Sequence, residues 1–166
     1  MKSTRKIAVI TGVVFIVATV AVFVADALTP DLAGTETLPR FAENSTMVAA
    51  GVLAYIVSAF ASAGVAIALY PVLKERNAGL AIGSVVFRGL EAAFYMVGHL
   101  SLLVLLTLGQ QYIAAGAADR AMLQAIGNMM VSLHDHAALL GVFAFCVGAF
   151  LYYYLFFQTR LIPRWL

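Results

Sequence analysis

Four stretches of this sequence are each long and apolar enough to cross a lipid bilayer, and they limit the fold more than any other feature. A hydrocarbon core of ~30 Å takes about 20 helical residues. The stretches run over about residues 7–28, 47–73, 79–108 and 133–157. None alternates apolar and polar residues as a barrel strand would. In lipid, a chain that is not a barrel must satisfy its backbone hydrogen bonds within helices. The expectation is an all-α, polytopic membrane protein, a four-transmembrane-helix bundle forming one domain over residues 1–166. Composition supports this: 63% of residues are hydrophobic and 11% charged, against roughly 45–50% and about 25% in soluble domains. One small soluble core cannot hide such an excess.

The connections differ in character. Residues 29–46 are polar, carry Pro30, Pro39, Asp31, Glu36 and Glu43, and read as an exposed loop. Lys74, Glu75, Arg76 and Asn77 make a tight turn, which predicts an antiparallel hairpin of helices two and three. Residues 114–130 are rich in helix formers, with Asp119, Arg120, Gln124 and Asn128 as polar members. They read as an interfacial helix or as a run-in to helix four.

Lys and Arg mark the cytoplasmic side of a membrane protein. Lys2, Arg5, Lys6, Lys74, Arg76, Arg160 and Arg164 fall on one side, and Arg40 and Arg120 on the other. This predicts a multi-pass protein of the cell membrane with both termini cytoplasmic. Tyr152, Tyr153, Tyr154, Phe156, Phe157 and Trp165 then form an aromatic belt at the inner end of helix four. The basic start and the Ala25-Asp26-Ala27 triplet resemble a signal peptide, but the 19-residue apolar run from residue 7 to 25 exceeds the usual ~7–15 of a signal core. A retained helix is expected.

Several functions are excluded or left without support. The net charge of +2 is too small to argue for nucleic acid. The single cysteine, Cys146, allows no internal disulfide. The sequence has no Gly-rich phosphate loop, no Gly-x-Ser-x-Gly elbow and no Cys-x-x-Cys pair, so neither a cofactor nor a catalytic residue is assigned. Ser58, Ser62, Ser101 and Ser132 lack an evident nucleophile partner.

Helices in lipid associate through close fit rather than hydrophobic drive. Helix two supplies Gly51, Ala54, Ser58, Ala61, Ser62, Gly64 and Ala68; Gly79 and Gly83 open helix three, and Gly141 and Gly148 share a face of helix four. Their main expected role is packing within the bundle. An interface with a second copy or another membrane protein through some of these faces stays open. Pro71 is expected to shape the exit of helix two.

One constellation asks for explanation. Arg88, Glu91, Tyr95 and His99 are spaced by 3, 4 and 4 residues, so they share a helical stripe roughly 80° wide. Ser84 extends it. If the membrane begins near Gly79, then at ~1.5 Å per residue Glu91 lies ~18 Å deep, near the midplane. Each such charge costs about 2.5–3.5 kcal/mol on insertion scales. Pairing Arg88 with Glu91 offsets part of this, and protonating Glu91 is the other way to remove its charge. A boundary placement, with the span at residues 89–108, would strand the ten apolar residues after the turn. Helix four adds His134, Asp135 and His136. Because helical neighbours diverge by ~100°, His134 and His136 point ~200° apart, which resists a shared metal. One histidine is expected to face the bundle and the others the outer interface. Arg88, Glu91, Tyr95, His99, His134 and Asp135 are the candidate polar site.

The run Ala68-Leu69-Tyr70-Pro71-Val72-Leu73, then Phe87-Arg88-Gly89-Leu90-Glu91-Ala92, Leu133-His134 with Gly141, and Leu161-Ile162-Pro163-Arg164 resemble an uncharacterised prokaryotic multi-pass membrane family, the domain of unknown function numbered 4386. The resemblance covers most of residues 7–166. It implies a membrane fold and maps the family's buried Arg, Glu and His onto Arg88, Glu91 and His134. The family's usual glycine three residues after the histidine is Ala137 here, and members usually continue into further helices, so a truncated copy is one expectation. Three functions are consistent with these residues. One is a transport or ion-coupling site on the polar stripe, with an unknown ligand. Another is a structural or regulatory subunit that uses the stripe as a packing or partner interface. The weakest is a lipid-acting membrane enzyme, which would need His99, His134 and Asp135 to converge.

Overall fold

The computed structural model describes residues 2–34 and 36–159, with side chains from Arg5 onward. Arg160, Arg164, Trp165, the 161–164 block and the Lys2 side chain lie outside what is described. The described chain forms α1 (Lys2–Leu28), α2 (Thr37–Glu43), α3 (Ser45–Leu73), α4 (Ala78–Ala114) and α5 (Ala117–Thr159). Four of these, α1, α3, α4 and α5, are long and apolar enough to cross a membrane. They are helices one to four of the sequence reading, and the described chain is a multi-pass, all-helical membrane protein.

Local chemistry explains the boundaries. Pro71 sits in the last turn of α3, which stops at Leu73. The Asn77 side chain then accepts a 3.0 Å hydrogen bond from the Leu80 amide and caps the start of α4. The turn is therefore tight, and α3 and α4 run antiparallel. The segment 114–130 is not a separate interfacial helix: from Ala117 it is continuous with α5.

The loop at residues 29–46 departs from the exposed loop expected. Its polar composition conceals α2, which buries Thr37, Leu38 and Phe41 completely or nearly so. The Thr37 hydroxyl lies 3.1 Å from the Leu32 carbonyl and 3.2 Å from that of Gly34, and Arg40 Nη2 donates to the Ala33 carbonyl at 2.8 Å. These bonds fold the loop onto itself. Gly109 of α4 meets the backbone of Leu38 and Ala42 so closely that a Cβ there would collide. Glycine at that point is what lets α2 lie on α4.

Neighbours follow the order α1, α3, α4, α5, with α4 and α5 packed along their length. The α1 backbone packs on α3 alone and stands apart from that of α5. The bundle is thus an open arc rather than a closed ring. Two apolar clusters bracket its middle. Leu38, Phe41, Val48, Val52, Leu102 and Leu105 gather at the α2 end, and Leu73, Ala81, Tyr152 and Leu155 at the end of the α3–α4 turn. Between them lies a polar layer.

Candidate functional site

The stripe on α4 is buried against its neighbours. Arg88 and Glu91 are 6% and 3% exposed. Arg88 Nη1 and Glu91 Oε2 stand 2.7 Å apart, one helical turn from each other. Their angles are not those of a directed hydrogen bond, so the contact is an ion pair with Arg88 Nε left unpartnered. Ser62 of α3 completes the centre. Its hydroxyl donates to Glu91 Oε1 at 3.2 Å and accepts from Arg88 Nη2, and its carbonyl accepts from the same nitrogen at 3.3 Å. The guanidinium lies 4.7 Å from the Phe145 ring centre. Gly148 leaves room for the Arg88 stem, and Gly141 for the Tyr95 ring.

One turn further along α4, aromatic rings take over. His99 stacks on Tyr55 with centroids 4.5 Å apart and planes 11° from parallel. Tyr95 and His134 flank it at 6.3 and 6.4 Å. His134 Nδ1 lies 3.1 Å from the Gly98 carbonyl. A carbonyl only accepts, so Nδ1 is the donor in this contact. His99 Nδ1 is buried without a hydrogen-bond partner. The Tyr55 hydroxyl donates to Asp26 Oδ1 at 2.5 Å.

These side chains border a cavity of about 330 Å³ lined by Asp26 of α1, Tyr55 of α3, Glu91, Tyr95 and His99 of α4, and His134 of α5. Its size falls within the ~300–1,000 Å³ of small-molecule sites. All four long helices contribute a titratable group. Arg88 borders a smaller space of about 180 Å³ on the far side of Ser62.

The model of a family described as Domain of unknown function (DUF4386) matches residues 10–166. The chain belongs to that family. No match was found among curated proteins or among solved structures.

Of the residues singled out from the sequence of this DUF4386 member, Glu91, Tyr95, His99 and His134 meet at the cavity. Arg88 supports it from beneath through Glu91. Asp135 and His136 are exposed on the other side of α5, with His136 Nδ1 bonded to the Ser132 carbonyl. Sequence reasoning missed Asp26, Tyr55 and the bridging role of Ser62. A signal existed: Tyr55, Ser58 and Ser62 are spaced by 3 and 4 residues and form a second polar stripe on α3. Asp26 carried none, since a lone acid near a helix end is ordinary.

Proposed function

We propose that this integral membrane protein holds a transport or ion-coupling site in its polar layer, in the cell membrane with both termini cytoplasmic. The observation that carries this reading is the cavity into which all four long helices send titratable side chains. Buried charge is expensive in a bilayer and usually marks a conduction or binding path. Glu91, His99 and His134 are acid–base groups bordering one cavity, as proton transfer between them requires. Purified protein in proteoliposomes with an internal pH dye, under an imposed potential, should carry proton flux above that of empty vesicles. Glu91→Gln, which preserves shape and the acceptor for Ser62, should fold normally and abolish the flux. Flux at the level of empty vesicles, or an unchanged rate in the variant, would sink the reading.

A structural subunit is the second reading, and one observation favours it. The Arg88–Glu91–Ser62 network ties α3 to α4, as a packing lock would. Here Arg88→Leu should lower the melting temperature in detergent or alter oligomer size. Melting and size equal to the parent's would remove this reading. The lipid-enzyme alternative has less support, because Asp135 is exposed and does not line the cavity that holds the two histidines.

A further inference from the structure

The cavity is one part of a longer groove. The backbones of α1 and α5 stand apart, and three spaces follow one another along the seam between them. The 330 Å³ cavity shares Val22, Ser58 and Ser62 with the 180 Å³ space. That space shares Phe15 and Val65 with a third, of about 370 Å³, near the aromatic end of α5. Apolar clusters close both ends of the polar layer. The seam faces sideways, toward the hydrocarbon of a surrounding bilayer.

Charge in the groove is uneven. Arg88 and Glu91 neutralise each other at its middle. Asp26, at the α2 end, meets no Lys or Arg among the described lining residues. Around that end stand the rings of Tyr55 and Tyr95, with His99 stacked on Tyr55, and tyrosine faces attract a cation within ~6 Å. Below Arg88 the walls are mainly apolar, with Phe15, Val65, Leu69 and Phe156, alongside Thr11, Tyr152 and Tyr153. The middle space is too small for a helix ~10–12 Å across, but it admits a hydrocarbon chain. From Asp26 to Phe15 is eleven residues of α1, ~16 Å of groove.

We propose that the groove takes a single-chain amphiphile with one ammonium head, entering from the side of the bilayer. The head lies against Asp26 within the ring cluster, and the tail runs down the α1–α5 seam. This rests on the reading of the cavity as a ligand site and names the ligand class.

The test uses the whole protein in lipid nanodiscs, with melting followed as probes are titrated. Dodecylamine should raise the melting temperature in a saturable way. Dodecanol and dodecanoate, with the same chain, and ethylamine, with the same head, should not. Asp26→Asn keeps the acceptor for Tyr55 and removes the charge; it should melt like the parent without probe and weaken the dodecylamine response about tenfold, a loss of one ion pair. If that variant does not fold, Tyr95→Leu, which removes a ring of the head site, should weaken the response instead. Equal responses to dodecanol or dodecanoate, a full response to ethylamine, or no response to dodecylamine would overturn the proposal. The first two outcomes leave a ligand site in place and refute only its class and route. The Glu91→Gln flux measurement judges the functional reading separately.

Discussion

The Ser62 hydroxyl donates to Glu91 and accepts from Arg88, so one small side chain serves both members of a buried ion pair. Neither charge is fully served without it: Arg88 Nε already lacks a partner. Ser62→Ala removes the bridge and adds no bulk. Leaving a buried polar group unsatisfied costs about 1–3 kcal/mol, whereas an average interhelical hydrogen bond in a membrane is worth only about 0.6 kcal/mol. Because the groups stranded here are charged, the larger figure should apply. Unfolding of the variant in bicelles should show a loss of about 1–3 kcal/mol; stability equal to the parent's would mean that Arg88 and Glu91 need no third partner. At this scale the sequence was half legible. The α4 stripe could be read because its members lie on one helix, where spacing alone fixes the face. Asp26 and Tyr55 are 29 residues apart on different helices, and only packing decides that they meet.

The long helices were legible because apolar length is a local property of the chain. α2 was not, because its seven residues sit in a segment of polar composition. Its reason for existing lies elsewhere. α4 has 37 residues and α5 has 43, or ~56 and ~65 Å at 1.5 Å per residue, well beyond a ~30 Å hydrocarbon core. The polar residues Gln110, Gln111, Asp119, Arg120 and Gln124 place the excess at the α2 end. A hairpin emerging there would offer Leu105, Leu108 and Leu123 to water, and α2 covers them with Leu38 and Phe41. Phe41 is fully buried. Phe→Ala in a core costs about 3–5 kcal/mol, more than a seven-residue helix can draw from local bonds, so the cost should appear as detachment of α2. Phe41→Ala should leave the polar layer folded and make residues 29–46 sensitive to protease. Resistance equal to the parent's would show that the loop's own hydrogen bonds hold it.

At the scale of the whole molecule, the arrangement of the helices puts the basic residues in two unequal groups. α1 runs antiparallel to α3, as the Ser58 bond to the Ala18 carbonyl and the Gly64–Val14 contact require. Arg5 and Lys6 therefore share an end with Lys74 and Arg76. Arg40 and Arg120 stand at the other, where each donates to a nearby backbone carbonyl, Ala33 and Ala115 respectively. Those two are engaged in fixing loop structure, while Arg5, Lys6 and Arg76 are exposed and free to interact with an anionic lipid surface. In the topology proposed above, this imbalance would orient the turn end inward. That topology would also place Asp26 and the cavity nearer the outer leaflet, the side from which the proposed amphiphile site would be served. In a Cys146→Ser background, cysteines replacing Glu36 and Glu75, both exposed, report the two ends. An impermeant maleimide added to right-side-out vesicles should label Glu36→Cys, and Glu75→Cys only after the membrane is broken. The reverse pattern would show that these charges do not set the orientation, and would move the cavity to the inner leaflet.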